Sequence, residues 1–144
     1  MSWRAIRPVA LAAVRRESGE ILVSKDYEPG EDEPFYRLIG GGIEFGEHSH
    51  EAVIREFREE LAVELINISL VDTHENIFTV DGEQGHEIWR VYEGDIAEDW
   101  PYECDRFEGY EPELDETFEV TWMAPGQLRN DVTFYDPVVL DDLG

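Results

Sequence analysis

The chain has 144 residues, 42% of them hydrophobic, which is enough to bury one core and predicts a single domain over residues 1–144. Its 35 acidic residues outweigh 11 basic ones, and a formal charge of −24 argues against a nucleic acid polymer as partner. No apolar run is long enough to span a bilayer, and one cysteine cannot form an internal disulfide. We therefore expect a cytoplasmic protein without a membrane partner, whose acidity is a solvated shell that suits a saline environment.

Apolar, β-compatible segments dominate the first part of the chain and recur after one strongly marked helix. The patterns predict strands over 5–14, 20–25, 35–39, 65–80, 86–96 and 118–123. The run Gly40-Gly41-Gly42 is interpreted as a break after the third strand. Helical periodicity runs from Ser49, a candidate N-cap, to Leu61, and short helices are predicted over 124–130 and from 137. This order predicts an α+β domain in which helices flank a mixed β-sheet.

The predicted helix carries an apolar stripe with carboxylates beside it. At 100° per residue, one arc of the helix holds Val53, Ile54, Phe57 and Leu61. Glu60 is angularly nearest to this stripe, and Glu56 and Glu59 flank it, so one carboxylate should be partly buried beside two others. Because like charges at this spacing repel, a positive charge should offset them.

Two arginines of the helix are candidates for that positive charge. On the helical wheel, Arg55 and Arg58 lie on the outer face, where they can pair with Glu51 or Glu59, and neither points toward Glu56 and Glu60. A hard divalent cation such as Mg²⁺ fits the carboxylates better. The alternative is that the helix simply presents a solvated charged face. The preceding glycines favour the first interpretation, because they allow close backbone approach, and a helix N-terminus attracts anions.

These residues together match a family pattern. The segment over 41–63 resembles the Nudix box, G-x5-E-x7-R-E-U-x-E-E-x-G-U, in which U is a bulky aliphatic residue. The matching positions are Gly41, Glu47, Arg55, Glu56, Glu59, Glu60 and Val63. Phe57 stands at the first U position, and Ala62 replaces the last glycine. The replacement at Ala62 affects the geometry at the end of the helix and leaves the acidic residues unchanged. The resemblance implies a Nudix fold, an α/β/α sandwich, over nearly the whole chain.

The resemblance also implies roles for individual residues. Glu56, Glu59 and Glu60 correspond to the family's metal-binding acids. Glu47 and Arg55 match a pair that usually supports the loop and helix geometry, with a direct catalytic role as the alternative. A glutamate from a later loop commonly completes such a site, and Glu116 is our candidate. Its rivals are Glu103, Glu113 and Glu119.

The activity implied is hydrolysis of a pyrophosphate linkage in a nucleoside diphosphate linked to another group. Water would attack phosphorus with the help of Mg²⁺, or of Mn²⁺, and a glutamate would take the proton. The substrate would be a small nucleotide: a nucleoside triphosphate, a sugar nucleotide or a dinucleoside polyphosphate. A homodimer is the assembly that family members often form.

Substrate recognition is less clearly marked in the sequence. Gly41, Gly42 and Arg37 are the candidate substrate-binding residues, although Arg37 can equally be a surface arginine of a strand. The aromatic residues Phe35, Tyr36 and Trp89 are interpreted as core rather than as stacking surfaces. No pair among the four histidines has metal-ligand spacing supported by other ligands.

Two classes of function other than an enzyme make different predictions for this sequence. A Nudix-fold sensor that binds a nucleotide without turnover should have lost metal acids, and all three are present. An acidic interaction domain should not respond to Mg²⁺ at all. The sequence favours the hydrolase.

Overall fold

The computed structural model describes residues 4–28, 30–80 and 82–143, and within them the chain forms eight strands and four helices. The strands are β1 (Ile6–Val14), β2 (Ile21–Tyr27), β3 (Pro34–Gly42), β4 (Leu65–Val80), β5 (Glu83–Ile96), β6 (Arg106–Glu111), β7 (Glu116–Met123) and β8 (Thr133–Tyr135). The helices are α1 (Ser49–Leu61), α2 (Trp100–Glu103), α3 (Pro125–Asn130) and α4 (Val138–Asp142).

The strands form one mixed sheet in the order β4-β5-β1-β3-β2-β7-β6, with β8 paired to β3. The β1–β5 and β3–β8 pairs are parallel and the other pairs are antiparallel. The predicted mixed sheet is therefore confirmed.

Both faces of the sheet are apolar in its centre, since alternate residues of β1 are buried on opposite sides. Ala10, Ala12 and Val14 share a core with α1, while Val9, Leu11 and Ala13 share a second core with α3 and α4. Helices thus cover both faces, as the α/β/α prediction requires. The first core positions the acidic side of α1 against the sheet.

The glycine run differs from its prediction, because Gly40, Gly41 and Gly42 continue β3 and pair with β1. A Cβ atom at Gly40 would clash with the carbonyl oxygen of Ala10, so only glycine allows this approach of the two strands. The run therefore brings β3, still hydrogen-bonded in the sheet, up to the loop that enters α1.

Helix α1 has the predicted limits, but its cap is one residue earlier. His48 is the N-cap, and its backbone N–H donates to the Glu51 carboxylate at 3.0 Å, so Ser49 lies in the first turn. Within the described ranges, no helix is both long and apolar enough to cross a membrane.

Candidate active site

The predicted apolar stripe of helix α1 is buried. The solvent exposure of its glutamates increases in the order that the helical wheel indicates. Val53, Phe57 and Leu61 are buried against the sheet, with Ile54 packed beside them. Glu60 is only 8% exposed, whereas the Glu59 side chain is 45% exposed at the rim. Glu56 lies between these extremes, with 13% of its side chain exposed. The expected partly buried carboxylate is thus Glu60.

Arg55 ties the loop before α1 to the helix. Its Nε and Nη2 donate to both carboxylate oxygens of Glu47, at 2.8 and 3.0 Å, and Nη2 also donates to the carbonyl oxygen of Gly42 at 3.0 Å. The hydrogen bonds from Arg55 hold the pKa of Glu47 below its ordinary value. These contacts are those of a pair that supports the loop and helix.

Arg55 also reaches the acidic face: its predicted pair with Glu59 is confirmed, but the prediction that it does not point toward Glu56 was wrong. Its Nη1 lies 3.1 Å from Glu56 Oε1 and 3.2 Å from Glu59 Oε2. The wheel gives the direction of Cβ, but a long arginine side chain carries its guanidinium across the face. Arg58 pairs with Glu64 beyond the helix, and not with Glu51 or Glu59.

A glutamate that the sequence did not single out completes the cluster. Glu111, the last residue of β6, hydrogen-bonds the carboxyl group of Glu60 and lies close enough to Glu56 to raise its pKa. Our candidate Glu116 lies opposite Glu111 in the β6–β7 register, is exposed and lines the same pocket. The sequence did not predict strand β6, so it did not indicate Glu111 as a residue of the site.

The three rivals of Glu116 lie elsewhere among the described residues. Glu119 pairs with Lys25 Nζ at 3.8 Å, and Glu103 ends α2. Glu113 is exposed in the turn between β6 and β7. None of these three lines the pocket beside Glu60.

The electrostatics of the cluster show an excess of negative charge. Burial, the hydrogen bond with Glu111 and repulsion from Glu56 raise the pKa of Glu60 from 4.5 to about 10. Burial also raises the pKa of Glu56, although the Arg55 guanidinium offsets part of that rise. Without an added cation, these surroundings therefore favour the protonated form of Glu60.

The candidate substrate-binding residues border this cluster. A Cβ atom at Gly41 would lie 2.6 Å from Cδ of Glu56, so glycine makes room for that carboxylate. Gly42 supplies the carbonyl that Arg55 binds. Arg37 lines the pocket with Glu60 and Glu111, and its Nε lies 3.7 Å from Asp26 Oδ2.

The donor set fits a hard divalent cation. Glu56, Glu59, Glu60 and Glu111 offer carboxylate oxygens only, the ligands that Mg²⁺ and Mn²⁺ prefer. Arg55 contacts Glu56 and Glu59, but the Glu60–Glu111 pair relies on the more distant Arg37 for positive charge. A bound cation would replace the proton that this pair otherwise shares.

Comparison with known proteins agrees with the fold. The chain matches the NUDIX domain over residues 5–143, and it therefore belongs to the Nudix hydrolase family. No curated protein sequence matches it closely enough to indicate a relationship.

Solved structures show the same architecture. The crystal structure of a MutT NUDIX hydrolase from Burkholderia pseudomallei has a TM-score of 0.71 and 24% identity, covering 98% of this chain and 100% of that one. A MutT protein from Methanosarcina mazei Go1 has a TM-score of 0.60 and 20% identity, covering 99% of this chain and 93% of that one. At these identities the likeness shows the fold, which confirms the predicted α/β/α Nudix architecture.

Proposed function

We propose that this chain hydrolyses a pyrophosphate linkage in a nucleoside diphosphate linked to another group, in a reaction that depends on Mg²⁺ or Mn²⁺. The observation that carries the proposal is the buried Glu60 carboxyl group, which hydrogen-bonds Glu111 and faces Glu56. Neighbouring carboxylates in a partly buried site are costly for a fold unless a cation offsets their charge.

Each acidic residue has a role in this proposal. Glu56, Glu59, Glu60 and Glu111 would hold the metal, which when bound would neutralise the diphosphate and lower the pKa of water. Glu59 is the most exposed of the three helix acids, and this accessibility suits it to accept the proton of the attacking water. Arg55 positions Glu56 and Glu59 and fixes the loop through Glu47.

The surroundings of the cluster support a nucleotide substrate. Arg37 provides a positive charge in the pocket of an otherwise acidic chain. Next to it, the half-buried Phe35 and the exposed Tyr135 form an aromatic pair with ring centroids 5.2 Å apart. An aromatic surface beside a phosphate-binding charge suits a base attached to a diphosphate. Tyr36 and Trp89 are buried in the second core, so they do not offer such a surface.

The test is product formation measured by mass, with and without Mg²⁺ or Mn²⁺. The substrates are nucleoside triphosphates, ADP-ribose, sugar nucleotides and dinucleoside polyphosphates. We expect Glu59→Gln and Glu60→Gln each to lower the metal-dependent rate by at least about 100-fold, the usual contribution of an essential acid or base. Glu113→Gln is the matched control, because Glu113 is exposed and does not line the pocket.

Two results would contradict the proposal. If the folded Gln variants retain the parental rate, the acidic cluster does not carry the chemistry. If no substrate is turned over and nucleotides raise the melting temperature of parent and variants equally, the chain is a Nudix-fold sensor.

A further inference from the structure

A second cluster of metal-binding side chains lies on the other face of the sheet from α1. Asp72 and His74 are two residues apart on β4, and they pair with Val91 and Trp89 of β5. Those two partners belong to the core that α4 covers, so Asp72 and His74 point toward α4. Asp142, the last residue of α4, meets them there.

The three side chains converge closely. His74 Nε2 lies 2.6 Å from Asp142 Oδ2 and 3.8 Å from Asp72 Oδ2. One ligand atom from each residue lies within 4.8 Å of the others. The His74 and Asp142 side chains are 17% and 16% exposed, while Asp72 is 49% exposed and leaves one side of the cluster open to water.

The charges in this cluster are not balanced. Within the described part of the chain, Asp72 and Asp142 each form an ion pair with His74, and the two carboxyl groups also contact each other. A neutral imidazole leaves two negative charges together, and a protonated one neutralises only half of them. A divalent cation would neutralise both carboxylates and satisfy the ring nitrogen at once.

We propose that Asp72, His74 and Asp142 bind a divalent transition-metal ion, with Zn²⁺ as the best fit, and that this ion fastens α4 to β4. One imidazole nitrogen and two carboxylate oxygens are a ligand set for Zn²⁺, whereas Mg²⁺ prefers oxygen ligands alone. Water reaching the open side at Asp72 completes the coordination. This site is separate from the acidic cluster of α1, which lies on the opposite face.

The short contact between His74 and Asp142 is compatible with metal binding. Two ligands of a tetrahedral Zn²⁺ ion, each about 2.0–2.1 Å from the metal, lie about 3.3 Å from each other. The ion would take the place of the ring proton between His74 and Asp142, and the two side chains would separate by less than about 1 Å. No backbone rearrangement is needed for that shift.

The position of the cluster gives it a structural consequence. Helix α4 has only five residues, and it is held by burial of Val139, Leu140 and Leu143 in the second core. So short a helix gains little from its own backbone hydrogen bonds. A metal bridge from its last residue to the sheet would stabilise its docking.

The test is Zn²⁺ binding measured in excess Mg²⁺, which competes for the oxygen-ligand site proposed on α1. We expect equilibrium dialysis to show one bound Zn²⁺, with a shift of the His74 Nε2 resonance in nitrogen NMR and a rise in melting temperature. His74→Asn and Asp142→Asn should weaken binding by more than roughly 10-fold, since even loss of a partner to a metal ligand costs that much.

The matched control is His86→Asn. His86 Nε2 also pairs with a carboxylate, Glu75, at 3.0 Å on the same hairpin, but it has no third ligand in the described part of the chain. The control should bind Zn²⁺ like the parent. The proposal is overturned if the His74 resonance does not respond to bound Zn²⁺, a readout that needs no variant. It is equally overturned if the folded His74→Asn and Asp142→Asn variants keep the parental affinity.

Discussion

Gly41 is a single residue whose missing side chain makes room for the Glu56 carboxylate. In Gly41→Ala, the new methyl group would lie 2.6 Å from Cδ of Glu56 and would push that carboxylate aside. Since a shift of about 1 Å in a reacting group can cost about 100-fold in rate, we expect a loss of that order in activity and weaker Mg²⁺ binding. Stability should change little, because the end of a flexible side chain can move.

Gly40→Ala is the matched control, because there the methyl group meets the backbone of Ala10 instead of a side chain. We expect it to destabilise the protein by about 3 kcal/mol or more, the upper end of the usual cost of overpacking, because backbone atoms cannot move aside. Urea denaturation and metal titration of both variants separate the effects. Equal losses of stability in the two variants would show that Gly41 serves the sheet rather than Glu56.

The raised pKa of Glu60 should make the stability of the metal-free protein depend on pH. Its folded-state pKa of about 10 lies above the ordinary 4.5, so the folded state binds more protons than the unfolded state between these values. The stability that protonated Glu60 contributes is therefore complete below about pH 4.5 and is lost as the pH rises toward 10. Glu60→Gln should remove this loss, because glutamine stays neutral.

The measurement is the melting temperature of parent and Glu60→Gln in EDTA from pH 5 to pH 9. We expect the variant to be the more stable protein at pH 9 and its advantage to shrink toward pH 5. Glu113→Gln, exposed in the turn, should show no such trend. An advantage that is the same at every pH would mean that the charge of Glu60 is not its cause.

Helix α1 is capped at its C-terminal end by Ala62, the residue at which the chain most clearly departs from the Nudix box. Ala62 adopts a left-handed conformation, with φ 57° and ψ 38°, and its N–H donates to the carbonyl of Arg58 at 3.1 Å. This conformation costs a residue with a Cβ atom about 1–2 kcal/mol. We expect Ala62→Gly to stabilise the protein by about 0.5–1 kcal/mol, since glycine also loses more backbone entropy on folding.

Chemical denaturation of Ala62→Gly and Ala52→Gly tests this expectation. Ala52 lies inside the same helix and is buried, so glycine should destabilise the protein there by at least about 1 kcal/mol. Opposite signs for the two variants are expected. If Ala62→Gly also destabilises the protein, the left-handed exit is not a source of strain.

The sequence predicted elements whose residues carry a clear hydrophobic pattern of their own, and it missed elements that lack one. Helix α1 carries its own periodicity and is confirmed over Ser49–Leu61. Strand β6 lies at the edge of the sheet, and its sequence RFEGYE mixes charged residues with the half-buried Phe107 and the exposed Tyr110. Strand β8 has three residues and forms only by pairing with β3. Neither strand has a hydrophobic pattern that predicts it without knowledge of the strand it pairs with.

The whole molecule carries a formal charge of −24, which should make its stability depend on salt. Self-repulsion of so many carboxylates opposes the compact state, and salt shortens its range from about 30 Å at 0.01 M to about 3 Å at 1 M. We expect the melting temperature in EDTA to rise steadily with KCl over that range.

Two comparisons separate screening from other effects of salt. NaCl should act like KCl, and the rise should be smaller at pH 5, nearer the isoelectric point of about 4.2. A melting temperature that is flat or falls as salt is added would show that the acidic shell does not strain the fold.

The sequence by itself determined the family, the α/β/α fold and the side of α1 on which acidic residues meet the core. The family and its fold follow from the resemblance of residues 41–63 to the Nudix box, and the acidic side of α1 follows from helical periodicity. Their roles as metal ligands, like that of Glu116, stay predictions.

Only the tertiary structure decided which distant groups meet these residues. It brought Glu111 to Glu60 by pairing an edge strand with β7, and it brought Asp142 to His74, 68 residues earlier in the chain. It also turned the Arg55 guanidinium toward Glu47, Glu56 and Glu59. The physical reason is that a spacing along the chain gives a direction within one element, whereas contacts between elements depend on how the sheet and its helices pack.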